Sequence, residues 1–120
     1  AIDPATALPA GEPSVFFANT GDGHIDGSVC DADGNVWNAR WGAGALCRIS
    51  PDGRQTLTIK VSHSPQTSCP AFVGKAHERM IVTSANKLMS PQALAANPDA
   101  GKTFYIDQPV HGRAEPRVLI

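Results

Sequence analysis

Tight-turn signals return at short intervals along this chain, and they limit what it can fold into more than any other feature. Asp33-Gly34, Gly42-Ala43-Gly44 and Pro51-Asp52-Gly53 follow one another with short strand-like runs between them. Aspartate-glycine and glycine-rich turns accept the positive φ angles of tight hairpins, so the runs they separate should pair antiparallel, each with the next. Strands are expected over 14–18, 27–31, 36–40, 45–49, 55–61, 68–73, 79–84, 103–106 and 117–119. The arrangement is a meander, and the fold class is all-β.

The four runs from 27 to 61 fill about 35 residues, and the runs from 68 to 119 repeat them more loosely around an insertion at 86–102. Trp37 in the first set answers Met80 or Ile81 in the second, a separation within the roughly 40–45 residues of a four-stranded propeller blade. An ordinary β-sandwich with evenly spaced strands is the competing architecture. The insertion contains Ser90-Pro91-Gln92-Ala93-Leu94-Ala95-Ala96, where proline at a first helical turn and the following alanines and leucine predict a short helix on a surface loop.

Composition excludes several classes of function. With 42% hydrophobic and 18% charged residues and a net charge of -1, the chain is neither a disordered polar tail nor an electrostatic binder of nucleic acid. No run approaches the roughly 18–20 apolar residues that span a bilayer, so no membrane partner is expected. Cys30, Cys47 and Cys69 are odd in number, widely spaced and set in apolar runs. They read as buried reduced thiols and favour a reducing cytoplasm.

The informative stretch runs from His24 to Gly53. Asp26, Gly27, Asp31, Gly34, Trp37, Ala39, Gly44, Arg48, Pro51 and Gly53 stand at the fixed positions of a D-G-x-x-x-D-x-x-G-x-x-W-x-A-x-x-x-x-G-x-x-x-R-x-x-P-x-G pattern. By this pattern the chain resembles the family of senescence marker protein 30, gluconolactonases and related sugar lactonases. Two further blocks, Thr67 to Gly74 and Met80 to Ala85, are similar to the family's T-x-x-x-F-x-G segment, with one residue more between Thr67 and Phe72, and to its L-y-V-T-S-A segment. Ile25 stands where many members have proline, and Val73 where a second glycine is common. Neither departure touches a functional group.

The resemblance implies about two four-stranded antiparallel blades, plus a preceding strand, from the C-terminal part of a propeller of about six blades. Residues 1–18 would end one blade, 19–61 form the next, and 62–120 form the last, with its insertion at 86–102. Such a piece exposes faces that other blades normally cover, so it is expected to require the missing N-terminal blades.

In a propeller of this kind the loops at 19–26, 41–44, 62–67 and 86–102 gather at one mouth, and the Asp-Gly turns lie at the far end. Asp33 and Asp52 therefore read as turn residues, whereas Asp26 enters the innermost strand at the mouth. By resemblance, Asp26 is the metal ligand and general base of a lactone hydrolase. A divalent cation would polarise the lactone carbonyl while the carboxylate takes the proton from the attacking water. The bland alternative is that Asp26 caps an Asp-Gly turn. The implied cation is Ca²⁺ in first place, with Zn²⁺, Mg²⁺ or Mn²⁺ as alternatives. One carboxylate does not hold an ion that wants six or more oxygens, so these residues alone should be inactive.

His24, Arg40 and Trp41 are the candidate contacts to a small-molecule sugar lactone, each with packing or exposure as its competing role. Thr67, Ser68 and Cys69 lack a histidine spaced to activate a nucleophile and read as packing at the start of a strand. The competing functional readings are a divalent-metal-binding regulatory propeller without hydrolase activity and a module for protein interaction.

Overall fold

A computed structural model describes residues 2–115. Seven strands and one short helix follow in order: β1 His24–Cys30, β2 Val36–Trp41, β3 Ala45–Ile49, β4 Gln55–Lys60, β5 Thr67–Val73, β6 Arg79–Ser84, α1 Pro91–Ala96 and β7 Thr103–Ile106. They make two antiparallel sheets, one of order β1-β2-β3-β4 and one of order β5-β6-β7. Every pairing is between neighbours in sequence, as the turn signals require. The expected strand at 117–119 lies outside the described residues.

The turn chemistry is explicit at Asp31. Its carboxylate is 3% exposed; one oxygen accepts from the Asp33 and Asn35 amides at 3.1 and 2.8 Å, the other from Asn35 Nδ2 and the Trp37 indole, both at 2.9 Å. One side chain thus closes the β1–β2 turn and orients the largest side chain of the core. Trp37 is flanked on β3 by Arg48, whose guanidinium lies 5.7 Å from its ring centroid while its Nε donates to Thr56 on β4 at 3.0 Å. The aspartate, tryptophan and arginine of the motif are one packed unit.

Trp37, Ala39 and Leu46 of the first sheet meet Met80, Val82 and Ile106 of the second in a single core cluster. Met80, not Ile81, is the counterpart of Trp37, because Ile81 is one step along the strand and faces the other side. Phe72 and Phe104 close the cluster's edge.

Two connections bind the sheets at their opposite ends. At one end Pro65 O accepts from the Gly42 and Gly44 amides, both at 2.8 Å, and Ala85 N donates to Gln66 O at 2.9 Å. Thr67, fully buried, sets its hydroxyl 3.0 Å from Arg40 O and 2.9 Å from Ala45 O. At the other end the segment after β7 returns across the turns: Ala32 N donates to His111 O at 2.7 Å and Gly112 N to His77 O at 3.1 Å.

Two expectations change. Residues 14–18 do not form a strand. Val15, Phe16 and Phe17 run as an irregular strap along a groove on the outer face of the first sheet, with Phe17 half-buried and Val15 and Phe16 exposed. The cysteines are unpaired, but Cys47 alone is buried; Cys30 is half-buried and Cys69 exposed. Cys69 follows a register break between Thr67 and Cys69, and an extra residue in a strand shifts the in–out alternation beyond it. The insertion does hold a helix, started by Ser90, whose hydroxyl accepts from Ala93 N at 3.1 Å, and by Pro91 in its first turn.

Candidate functional site

Asp26 does not sit in a turn. In β1, Ile25 pairs with Arg40 and Ser28 with Asn38, so Asp26 and Gly27 together oppose Ala39. This is a β-bulge, a device that bends a strand and re-aims a side chain next to the break. The corresponding strand of the second sheet, β5, breaks register at the corresponding end, and the two breaks abut. A Cβ on Gly27 would fall 2.6 Å from Ser68 O and 2.7 Å from Cys69 Sγ. The glycine after Asp26 is therefore required by close approach of β5, and the turn-cap reading of Asp26 gives way to a bulge.

Asn38 fixes the bulge from β2. It is 2% exposed, and its amide nitrogen donates to Asp26 O at 2.9 Å and Ser28 Oγ at 2.8 Å. The Asp26 backbone is thereby held while its side chain remains at the exposed end of the strand, and its carboxylate makes no hydrogen bond or ion pair among the described residues. Nothing in the sequence pattern singles out Asn38, since its role depends on a register break that spacing does not reveal.

His24 is paired directly with Trp41, and Trp41 is bridged on its other side to Gln66. His24, Asp26 and Trp41 therefore share the end of the molecule where the loops at 19–26, 41–44 and 62–67 meet. The 86–102 loop joins them through Gln66 Nε2, which donates to Lys87 O at 3.0 Å. Arg40 is different. Its side chain belongs to the opposite face of β2, 1% exposed, with Nη2 donating to Gln55 at 3.3 Å and the guanidinium 5.0 Å from the Phe17 ring centroid.

The expected turn residues behave as such. Asp52 is bonded to the Ser50 hydroxyl and to Arg54, which hold its carboxyl below the usual carboxylate range, the hydroxyl contributing most. Among the described residues no three His, Cys, Asp or Glu side chains stand together as a cation site. The donor set around Asp26 does not fit a hard divalent ion by itself, which needs six or more oxygens.

Residues 1–86 match the model of the SMP-30/gluconolactonase/LRE-like region. The chain belongs to this family. It is 53% identical over 116 residues to a putative sugar lactone lactonase of Rhizobium meliloti, covering 96% of this chain and 39% of that protein. It is 42% identical over 96 residues to the L-arabinolactonase of Azospirillum brasilense, covering 80% of this chain and 31% of that one. Among solved structures it is similar to regucalcin of Agrobacterium tumefaciens, described as a calcium-binding protein, with a TM-score of 0.89, 46% identity, and coverage of 96% of this chain and 39% of that one. The chain thus spans about two fifths of the length of the Rhizobium and Agrobacterium relatives.

Proposed function

We propose that this chain supplies the last blades of a six-bladed propeller that hydrolyses a sugar lactone to its aldonic acid, with residues 19–61 as one blade and 62–120 as the last. Its identity to a lactonase-named relative over nearly its whole length carries the reading. The Asp26 bulge supports it locally, since an exposed carboxylate with no internal partner, on a backbone held by Asn38, is arranged for work on something outside the chain.

In this mechanism Asp26 takes a proton from water as the water oxygen adds to the lactone carbonyl carbon. The ring C–O bond then breaks, and the proton returns to the departing ring oxygen to leave a hydroxy acid. His24 and Trp41, at the same end, are placed to meet sugar hydroxyls. A divalent cation, Ca²⁺ first, would supply positive charge for the carbonyl oxygen. Asp26 would give it one oxygen, and the remaining ligands would come from beyond these residues. Three unpaired cysteines support a reducing, cytoplasmic setting.

The test is lactone turnover by the propeller completed with the missing three fifths, before and after chelation. Turnover that disappears with chelator and returns with added Ca²⁺, Zn²⁺, Mg²⁺ or Mn²⁺ is the expected result. A second reading, a metal-binding regulatory propeller, is favoured by the likeness to calcium-binding regucalcin. Metal retention without turnover of any sugar lactone would select it.

A further inference from the structure

Among the described residues, Ala7, His63, His77 and Leu88 have a positive φ without being glycine, Leu88 at 59°. The Met89 amide donates to Asn86 O at 3.3 Å, so Leu88 is the third residue of a tight turn. Glycine or asparagine is the ordinary occupant where that position needs a left-handed backbone. Leucine has no short polar side chain to bond locally there, and its Cβ crowds the neighbouring carbonyl. It recovers nothing by packing, being 95% exposed. An exposed leucine alone asks for no explanation. One that is also strained does, since strained residues cluster at ligand clamps and active sites.

Anchors on both sides hold this tip in place. Gln66 Nε2 donates to Lys87 O at 3.0 Å, Gln66 O accepts from Ala85 N at 2.9 Å, and Ser90 starts α1 directly after the turn. The far end of the loop is tied to Ser84, whose amide and hydroxyl donate to Lys102 O at 3.1 and 2.7 Å. Gln66 is in turn bridged to Trp41, and Trp41 is paired with His24. His24, Trp41 and Gln66 thus stand side by side at about the 4.8 Å spacing of neighbouring strands. Asp26 follows two residues after His24 at one side of this row, and Leu88 lies beyond Gln66 at the other.

We infer that Leu88 is a specificity-determining contact: it meets the part of a bound sugar lactone farthest from the carbonyl and selects a terminal methyl group over a hydroxymethyl. The inference rests on the proposed reading of Asp26 as the carboxylate that works at the carbonyl carbon. With the carbonyl at Asp26, the rest of the ligand extends past Trp41 toward the 86–102 loop, whose exposed apolar tip is Leu88. Leucine neither donates nor accepts, so a hydroxyl pressed against it gives up its water without a new partner. An apolar wall rejects an added hydroxyl only modestly, by about a hundredfold at most. The selectivity that Leu88 confers is therefore a graded preference for a deoxy sugar lactone.

The experiment measures kcat/KM in the completed propeller for L-fuconolactone against L-galactonolactone and for L-rhamnonolactone against L-mannonolactone. The members of each pair differ only in the terminal hydroxyl. The parent should favour the deoxy member by about 10- to 100-fold. Leu88→Asn, close in size and suited to the left-handed turn, should remove that preference and leave the thermal midpoint at or above the parent's. Leu88→Met should keep the preference. Equal turnover of both members by the parent, or a ratio untouched by Leu88→Asn, would overturn the inference. A lower midpoint with unchanged ratios would overturn it too, as the mark of a leucine packed against the remaining blades. Binding is read apart from turnover, from the NMR signals of the Leu88 methyl groups as L-fuconolactone is added. Signals that move without turnover contradict the proposed activity and leave the contact standing; turnover with unmoved signals does the reverse, and the absence of both contradicts both.

Discussion

Two aspartates five residues apart do opposite things, and their partners account for it. Asp31 is buried and accepts four hydrogen bonds; Asp26 is exposed and its carboxylate has no internal partner. Replacing Asp31 with Asn should destabilise the chain by about 1–3 kcal/mol, because an amide nitrogen would then face the Asn35 amide or the Trp37 indole, donor against donor. A urea titration with unchanged slope and lower midpoint checks this. Asp26→Asn should leave the unfolding free energy within about 0.5 kcal/mol of the parent's, as expected for an exposed substitution away from such features. The chain's motif displays both aspartates, and position in the propeller sorts Asp26 from the turn residues. It does not reveal Asp31 as a hub or Asn38 as the clamp on Asp26, because both roles depend on which atoms meet across a turn or a register break.

At the scale of elements, the strands were legible because the turns are local: Asp-Gly chemistry fixes where a hairpin reverses, and 45–49, 79–84 and 103–106 form as expected. The strap at 14–18 was not, since an apolar run does not by itself show whether a segment will find a ladder. The exposure of Cys69 was hidden for a related reason, a bulge being a property of the pair. The close approaches can be tested directly. Gly27→Ala places a Cβ against Ser68 O and Cys69 Sγ, and Gly112→Ala places one 2.4 Å from His77 O and 2.5 Å from Phe72. Each should cost about 1–3 kcal/mol by overpacking, read as a lower thermal midpoint. The turns and loops predict an acid limit too. Asp52 and Asp99 are held below the usual 3.8, chiefly by the Ser50 hydroxyl and by Lys102 respectively. A depressed carboxyl stabilises the fold above its unfolded value and loses that contribution as pH falls through the folded one, so the thermal midpoint should begin to drop below about pH 3.8. Asp52→Asn should flatten that drop.

At the scale of the whole molecule, the two sheets seal one face against each other and leave the outer face of the first under an irregular strap, with Asn38 Oδ1 and Arg40 Nη1 unpaired among the described residues. Family membership gives the physical context, since the chain accounts for about two fifths of a lactonase relative's length. Among the described residues no three His, Cys, Asp or Glu side chains stand together, so under the proposed function activity and tight metal binding should emerge together only when the rest of the propeller is supplied. The central claim, that Asp26 is the working carboxylate of a lactone hydrolase, is tested most directly by comparing kcat/KM for sugar-lactone hydrolysis in the completed propeller and its Asp26→Asn variant, with metal at saturation. A fall of at least about a hundredfold at unchanged thermal midpoint is predicted; turnover by the variant at the parent's rate would contradict the account.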